Sequence, residues 1–335
     1  MFCSEIAINF VFAIVARAFA RYTVFTTKGL EAGTMETQGM LMDVKRFAVH
    51  DGPGIRTTLF FKGCPLRCQW CHNPEGYRAR PELSFQAAKC IGCGACLAAC
   101  PSGAHTSQQG AHVILRERCT ACGACAAACP TGALAILGQT YTAQQAADAA
   151  ARDMPFYGEE GGATFSGGEP LAQPEFALAV ARLLRERGIS LCIETSGYGS
   201  PQTLREIAPY TRLFLFDIKE TDAQRHRAFT GVDNARILDN FRMLDDMGAK
   251  TLLRCPVIPG VNDREAHFAA IAALANTAKH VTGIELEPYH PLGLSKREQL
   301  GRQGGYALRT SLAREALEPY RAQMQALTDV PVSIS

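Results

Sequence analysis

From residue 40 to the end of the chain, apart from residues 84–137, segments with one of two hydrophobic patterns follow one another. Short runs rich in Leu, Val, Ile and Phe predict strands, and longer stretches with an apolar residue every three to four positions predict helices. The predicted strands are "MLMDVKRFAV" (40–49), "RTTLFFKG" (56–63), "GATFSGGEP" (162–170), "SLCIETSG" (190–197), "RLFLFDIKE" (212–220), "KTLLRCPVIPG" (250–260), "GIELEPYH" (283–290) and "VPVSIS" (330–335). The predicted helices cover residues 142–154, 175–188, 235–248, 264–278 and 308–328.

The order of these elements favours an α/β fold. Repeated strand-then-helix units predict a parallel sheet that curls into a partial (β/α) TIM-like barrel. In such barrels the C-terminal ends of the strands form the active site, and here they carry "SGGEP", "ETSG", "DIK", "RCPVIPG" and "EPYH". Residues 84–137 differ, because they are rich in Cys, Ala and Gly and lack a long periodic helix. We therefore predict a barrel of residues 40–83 and 138–335, interrupted by a small insert at 84–137.

The N-terminal region does not follow this pattern. The segment "IAINFVFAIVARAFA" contains an apolar run of about eleven residues before Arg17, which is too short to span a bilayer. Glu5 precedes it, and it lacks the basic region of a signal peptide. We expect residues 1–38 to be a misassigned start or a loose extension; a weak helix lying on the body of the protein is the alternative.

The amino-acid composition limits which cellular compartment and which kinds of partner are plausible. The net charge of +2 gives no indication of nucleic acid or an anionic membrane as a partner. Fourteen cysteines are unusual for a chain of 335 residues, and eleven of them fall between Cys64 and Cys129 in closely spaced groups. In a long chain such grouping favours metal ligation over disulfides. We therefore predict a protein of the reducing cytoplasm.

The insert contains the same cysteine motif twice. Both "CIGCGACLAACP" (90–101) and "CTACGACAAACP" (119–130) read C-x2-C-x2-C-x3-C-P, the spacing of bacterial ferredoxins. In that motif three cysteines bind one [4Fe–4S] cluster and the fourth crosses to the other cluster. The predicted ligand sets are Cys90, Cys93, Cys96 and Cys129 for one cluster, and Cys119, Cys122, Cys125 and Cys100 for the other. Two zinc sites are the alternative. Fully ligated clusters offer no open iron, which favours electron transfer as their role.

A third group of cysteines lacks a fourth member. In "FKGCPLRCQWCHNPEG" (61–76), Cys64, Cys68 and Cys71 have the spacing C-x3-C-x2-C. A [4Fe–4S] cluster held by three thiolates leaves one iron without a protein ligand, much as catalytic zinc sites keep a position open. An amino acid could chelate that iron through its amino and carboxylate groups. A zinc or disulfide cluster is the alternative.

The loop, with Trp70 before its last cysteine, resembles the radical S-adenosylmethionine (SAM) superfamily. There a reduced cluster passes an electron into the sulfonium and splits SAM into methionine and a 5′-deoxyadenosyl radical. The longer stretch "HDGPGIRTTLFFKGCPLRCQWCHNPEG" (50–76) is similar to the signature of glycyl-radical enzyme activases, with similarity over roughly residues 42–335. Pyruvate formate-lyase activase lacks the ferredoxin insert. The larger branch, such as choline trimethylamine-lyase and isethionate sulfite-lyase activases, has it in the same place.

The resemblance implies an anaerobic oxidoreductase that abstracts a hydrogen from a glycine of a partner glycyl-radical enzyme. Its cofactors would be three [4Fe–4S] clusters and SAM, with a flavodoxin or ferredoxin type of electron donor. Choline trimethylamine-lyase and isethionate sulfite-lyase are the partners it favours. A radical SAM enzyme acting on a small molecule, and a pure electron-transfer protein, are the alternatives.

The resemblance also implies site residues. Cys64, Cys68 and Cys71 would be catalytic, and Glu169 would lie near the SAM ammonium group. Glu194 stands where pyruvate formate-lyase activase has an Asp that helps to hold a monovalent cation. The implied cofactor contacts are Trp70, His72, Gly167, Gly168, Glu169, Glu194, Thr195, Asp217, Lys219, Arg254 and His290.

Two further groups complete the sequence-based expectations. The loop from Asp51 to Gly54 would help to receive the partner's glycyl loop, and a tight turn between strands is the alternative. Cys3, Cys192 and Cys255 fall outside all the motifs, and we expect them to be buried as small apolar side chains.

Overall fold

A nine-stranded sheet forms the framework of the protein. The computed structural model describes residue 33 and residues 36–335, so Cys3 and most of the predicted extension at residues 1–38 lie outside the described residues. The sheet order is β13-β12-β11-β10-β9-β8-β2-β1-β7; the strands from β13 to β2 are parallel, and β1 and β7 are antiparallel to their neighbours. Its strands are β1 (Gln38–Ala48), β2 (Arg56–Phe61), β7 (Gln139–Thr142), β8 (Gly162–Gly167), β9 (Leu191–Thr195), β10 (Leu213–Asp217), β11 (Thr251–Val257), β12 (Val281–Pro288) and β13 (Val332–Ile334).

Helices connect the parallel strands. Those of the main domain are α3 (Ala143–Ala151), α4 (Pro174–Glu186), α5 (Pro201–Ile207), α6 (Ala223–Thr230), α7 (Ala235–Asp246), α8 (Glu265–Thr277), α9 (Leu292–Gln299) and α10 (Glu318–Gln325). In α4 an apolar stripe that includes Phe176, Val180 and Leu184 is buried against the sheet. Gly188, with φ of +70°, follows its C-terminus. The helices predicted at 142–154, 175–188, 235–248 and 264–278 are thus confirmed.

The sheet curls into a partial barrel. Arg254 on β11 donates from Nη2 to the backbone oxygen of His50, which precedes β2, over 3.1 Å. In the sheet β11 and β2 are separated by β10, β9 and β8, which in a flat sheet corresponds to about 19 Å at the usual strand spacing. Because one arginine side chain joins the two positions, the strands must curve around a common interior. The two edge strands, β13 and β7, do not pair with each other, so the barrel stays open.

The insert forms a separate small unit. Strand β3 (Glu82–Phe85) pairs antiparallel with β6 (Leu134–Leu137), and β4 (His105–Gln108) forms a hairpin with β5 (Ala111–Ile114). Helices α1 (Ala95–Ala99) and α2 (Ala124–Ala128) each follow a left-handed glycine, Gly94 and Gly123. The two halves therefore repeat the same local structure, as the doubled motif predicts.

The structure differs from the pattern near the C-terminus. The predicted helix at 308–328 is wrong over its first part, because regular α-helix begins only at Glu318. The preceding segment directs its backbone hydrogen bonds to other parts of the barrel: Tyr306 N–H donates to the oxygen of Gln69, and Leu312 N–H to that of Tyr289. Helices α5, α6 and α9 were not predicted.

Candidate functional site

The three-cysteine loop, residues 61–76, follows the C-terminal end of β2. Cys68 and Trp70 are each 6% exposed and belong to an apolar cluster, whereas Cys64 and Cys71 are partly exposed. Burial raises the pKa of all three thiols, that of Cys68 to about 12. Three thiolates are therefore costly here unless a positive group or metal compensates them.

A lysine provides positive charge beside this loop. Lys219 follows β10, and its Nζ lies 3.0 Å from Oδ2 of Asp217. Burial alone would lower the pKa of Lys219, but Asp217 and the sulfur of Cys68 outweigh burial and raise it. Lys219 therefore stays protonated and is close enough to lower the pKa of Cys68 and Cys71. Cys64, Cys68 and Cys71, with the positive Lys219 nearby, are a donor set that fits a three-thiolate [4Fe–4S] cluster.

The glycines after β8 allow close backbone packing. A Cβ atom on Gly168 would lie 2.4 Å from the backbone oxygen of Gly63 and 2.7 Å from that of Gly76. Gly63 immediately precedes Cys64, so this contact fixes where the three-cysteine loop begins. Gly167, with φ of +112°, would place a Cβ 2.5 Å from the backbone of Phe61. The pair thus joins the end of β8 to the cysteine loop.

The carboxylate of Glu169 is fully used inside the protein. Oε1 accepts hydrogen bonds from Leu171 N–H and from the Thr195 hydroxyl, and Oε2 accepts from both the N–H and the hydroxyl of Ser196. These four donors fill its acceptor positions, and the residue is 1% exposed. The expectation that Glu169 lies near the SAM ammonium group stays a prediction. Glu169 holds the ends of β8 and β9 together.

Arg254 lies at the centre of a buried charge network that we call the Arg254 network. Its guanidinium is 3.0 Å from Oε1 of Glu194, 2.9 Å from Oε2 of Glu285 and 2.7 Å from Oε1 of Glu287. The sequence analysis missed Glu285 and Glu287. The alternation E-L-E in β12 could have identified them, since residues two apart share one face of a strand. Arg254 therefore neutralises strand-end carboxylates inside the barrel.

The residues expected to hold a cation are already engaged. Glu194 pairs with Arg254 and accepts a hydrogen bond from the hydroxyl of Ser166. The hydroxyl of Thr195 donates to Glu169 and accepts from Gly197 N–H. Asp217 pairs with Lys219, as described above. The protein's own cations thus compensate the charge of both carboxylates.

The remaining predicted contacts fall into two groups. His72 and His290 are both exposed, and their ring centroids are 6.5 Å apart in an edge-to-face arrangement. They lie together at the surface beside Cys71. Trp70 instead points into the apolar cluster, where its ring centroid is 6.2 Å from that of Phe229. The structure thus brings the two histidines together and packs Trp70 in the apolar cluster, and the cofactor contacts of all three stay predictions.

The structure also shows how the residues before β2 pack and how deeply the cysteines outside the motifs are buried. Asp51 Oδ2 accepts a hydrogen bond of 2.5 Å from the Thr58 hydroxyl. A Cβ on Gly54 would meet the backbone nitrogen of Gly161 at 2.6 Å, so this turn packs tightly against the β8 side of the barrel. Cys192 and Cys255 are 0% and 1% exposed, which confirms the prediction that they are buried.

The eight cysteines of the insert surround two separate cavities. The first cysteine cavity is lined by Cys90, Cys93, Cys96 and Cys129, together with Phe85 and His112. The second cysteine cavity is lined by Cys100, Cys119, Cys122 and Cys125, together with Leu83 and His105. Each cavity thus gathers three cysteines of one motif and the last cysteine of the other. Four thiols around one cavity are a donor set that fits a [4Fe–4S] cluster.

Helix α9 connects the insert to the three-cysteine loop. Arg297 Nη2 donates to the backbone oxygen of Cys68 over 2.8 Å and to the hydroxyl of Tyr77 over 2.6 Å. At the end of the helix, the backbone oxygen of Gln299 accepts a 2.8 Å hydrogen bond from Arg116 of the insert. One short helix therefore contacts both cysteine-containing regions.

Family comparisons agree with this geometry. The model of the Radical SAM superfamily matches residues 117–271, and that of the 4Fe-4S dicluster domain matches residues 82–131. The fold and site thus define a radical SAM enzyme with a dicluster domain.

Similarity to individual proteins shows to which family of radical SAM enzymes the chain belongs. The chain is 37% identical to the choline trimethylamine-lyase activating enzyme of Oleidesulfovibrio alaskensis, over 90% of this chain and 99% of that protein. It is 43% identical to the isethionate sulfite-lyase activating enzyme of Desulfovibrio desulfuricans, over 79% and 88%. It is also 43% identical to the benzylsuccinate synthase activating enzyme of Thauera aromatica, over 80% and 83%. This chain belongs to the family of radical SAM activating enzymes of glycyl-radical enzymes.

Proposed function

We propose that this protein activates a partner glycyl-radical enzyme by abstracting a hydrogen atom from one of that partner's glycines. The observation that carries the proposal is the three-cysteine loop beside Lys219 and Asp217, in a chain that belongs to a family of activating enzymes. When bound, a reduced [4Fe–4S] cluster supplies the electron that cleaves SAM. A glycine is a suitable target because its α-radical is stabilised by both flanking amides and no side chain blocks approach.

The chain's own residues would hold the cofactors. Cys64, Cys68 and Cys71 would bind the catalytic cluster, and the protonated Lys219 would balance the SAM carboxylate. His72 and His290, whose rings lie edge to face, would contact the cofactor at the surface of the site. Burial of Cys68 in the apolar cluster supports the exclusion of water, which would protect a reactive radical.

The insert would hold two further clusters and pass electrons inward. The two cysteine cavities support this, because each is lined by a complete set of four thiols. Helix α9 supports transfer towards the catalytic loop, since it contacts both regions. The electron donor would be a flavodoxin or ferredoxin type of protein. A monovalent cation at Glu194, Thr195 and Asp217 is not part of the proposal, because Arg254 already pairs with Glu194.

We further propose choline trimethylamine-lyase or isethionate sulfite-lyase as the partner, in the cytoplasm. Relatives named for these two lyases support the choice. The described cysteines are all free, which suits a reducing compartment. Within the described part of the chain, no helix has the length and apolar character needed to cross a membrane.

Iron content and SAM cleavage test the catalytic assignment. Anaerobically reconstituted protein should contain about twelve irons, and replacing Cys64, Cys68 and Cys71 with Ala should leave about eight. The triple variant should not cleave SAM. The matched control replaces the buried Cys192 and Cys255 with Ala and should keep all twelve irons. SAM cleavage by the triple variant would refute the assignment.

Label transfer tests the reaction itself. With reductant, SAM and each candidate lyase under anaerobic conditions, the partner should acquire a stable radical whose spectrum is split by the remaining glycine hydrogen. Deuterium at the glycine α-carbon should remove that splitting and should appear in 5′-deoxyadenosine. Label transfer from a free metabolite, without a radical on either lyase, would instead favour an enzyme acting on a small molecule.

A further inference from the structure

Two histidines of the insert stack between the cysteine cavities. His105 on β4 and His112 on β5 have ring centroids 5.0 Å apart at an interplanar angle of 18°. Nδ1 of His105 lies 2.8 Å from Nε2 of His112, and the same Nε2 lies 3.6 Å from Sγ of Cys96. His112 lines the first cysteine cavity and His105 lines the second. The pair therefore forms part of the wall between them.

The contacts decide where the imidazole protons lie. A cysteine that ligates iron is a thiolate and only accepts hydrogen bonds. A bare nitrogen lone pair of His112 facing that sulfur would be repelled, so Nε2 must carry its proton. That N–H is then shared between Cys96 Sγ and Nδ1 of His105, which accepts. In its neutral form each imidazole then carries a single proton.

This assignment leaves one donor and one acceptor. His105 carries its proton on Nε2, and His112 has a free lone pair on Nδ1. Both atoms are buried and have no hydrogen-bond partner among the residues that the structure describes. Neither histidine gains its full set of hydrogen bonds, so packing alone gives little reason for a buried imidazole pair. The contact between His112 and the sulfur of Cys96 indicates instead that the pair acts on the cluster that Cys96 would bind.

We propose that His112 donates an N–H···S hydrogen bond to Cys96 and so raises the reduction potential of the cluster in the first cysteine cavity. Such a hydrogen bond stabilises the negative charge that the cluster gains with one electron. The imidazole keeps its proton, and the electron comes from a low-potential one-electron donor. The inference rests on the proposed function, in which the insert holds two clusters.

The second half of the insert provides an internal comparison. The sequence Pro-Ser-Gly-Ala-His after Cys100 corresponds to Pro-Thr-Gly-Ala-Leu after Cys129, so Leu134 occupies the position of His105. Cys125, the counterpart of Cys96, packs in an apolar group with Leu83 and Leu134. The variant His105→Leu therefore introduces a side chain that this fold already accepts at the equivalent place.

The experiment is a potentiometric titration followed by electron paramagnetic resonance. It uses the full chain with Cys64, Cys68 and Cys71 replaced by Ala, so that only the two insert clusters are reduced by dithionite. His112→Leu should lower one of the two potentials by an amount equivalent to about a tenfold change in the reduction equilibrium, or about 59 mV. The other potential should stay unchanged. His112→Gln, which retains an N–H donor, should recover most of the shift.

His105→Leu separates the two histidines. It frees the His112 N–H for Cys96 alone, so the first cluster's potential should not fall. Two unchanged potentials in His112→Leu, or equal shifts of both, would overturn the proposal while leaving the cluster assignment intact. An iron content well below eight in the parent variant would instead count against the proposed function. Zinc at Cys96 and the two histidines, with about four irons missing, would overturn both.

Discussion

The change Arg254→Met removes a buried cation and keeps much of its side-chain volume. In the protein Arg254 is 5% exposed, and its nitrogens lie 3.0, 2.9 and 2.7 Å from the carboxylates of Glu194, Glu285 and Glu287. Without the guanidinium these three carboxylates face one another inside the barrel. Removing one partner of a buried ion pair costs about 3–5 kcal/mol. We expect the free energy of unfolding to fall by about that amount at pH 8.

The cost should depend on pH in a defined direction. Burial raises the pKa of Glu287 to about 8, against the opposing effect of Arg254. An acid whose pKa is higher in the folded state binds protons on folding. The proton bound by Glu287 therefore stabilises the folded state fully below the ordinary pKa of 4.5, and this stabilisation is lost as pH rises through about 8. Without Arg254 the folded pKa rises further, so the variant should recover part of its stability at pH 6.

Urea unfolding at pH 6 and pH 8, followed by circular dichroism under anaerobic conditions, measures both effects. The control is Arg242→Met, because that side chain is 60% exposed and its one ion pair among the described residues is with the exposed Asp239. It should unfold like the unchanged protein. Adding Glu287→Gln to Arg254→Met should restore stability at pH 8, since it removes one of the unpaired charges. A loss below about 1 kcal/mol at pH 8, or an equal loss at both pH values, would refute the reasoning.

Three further changes test the site. Gly168→Ala places a Cβ 2.4 Å from the backbone oxygen of Gly63, so it should displace the three-cysteine loop and lower iron content from about twelve towards eight; full iron content would contradict this. Arg116→Ala removes one of the hydrogen bonds between the insert and α9, while that from Ser84 to Gln299 remains, and it should slow SAM cleavage with a flavodoxin donor, whereas the exposed Arg118→Ala should not; equal rates would argue against the Arg116 contact as part of the connection. Glu169→Gln puts an NH₂ group among hydrogen-bond donors and should cost roughly 1–3 kcal/mol in chemical unfolding; an unchanged stability would show that the site relaxes freely.

The sequence by itself determined the barrel strands, four of the helices and the candidate donor groups. The cysteine spacings are local features, because each motif of three or four cysteines indicates by itself which kind of metal cluster its thiolates can bind. The short runs rich in Leu, Val, Ile and Phe identified the barrel strands, because continuous burial is a property of each segment alone. It also placed Lys219 and Asp217 at a strand end, where parallel strands present their polar residues.

Tertiary structure decided how distant residues use one another. Arg254 and Glu194 are 60 positions apart, and Arg297 and Cys68 are 229 apart. No local pattern reveals such pairs, because they depend on how the sheet curls and on where a short helix packs.

Contacts between distant parts of the chain also explain the features that the sequence did not predict. The hydrogen bonds from Thr195 and Ser196 to Glu169 join residues 26 and 27 positions apart, which no local pattern predicts. Residues 301–313 have no helix because their backbone groups find partners elsewhere in the barrel. Residue types and spacing set which chemistry is available, and packing decides which atoms remain free to perform it.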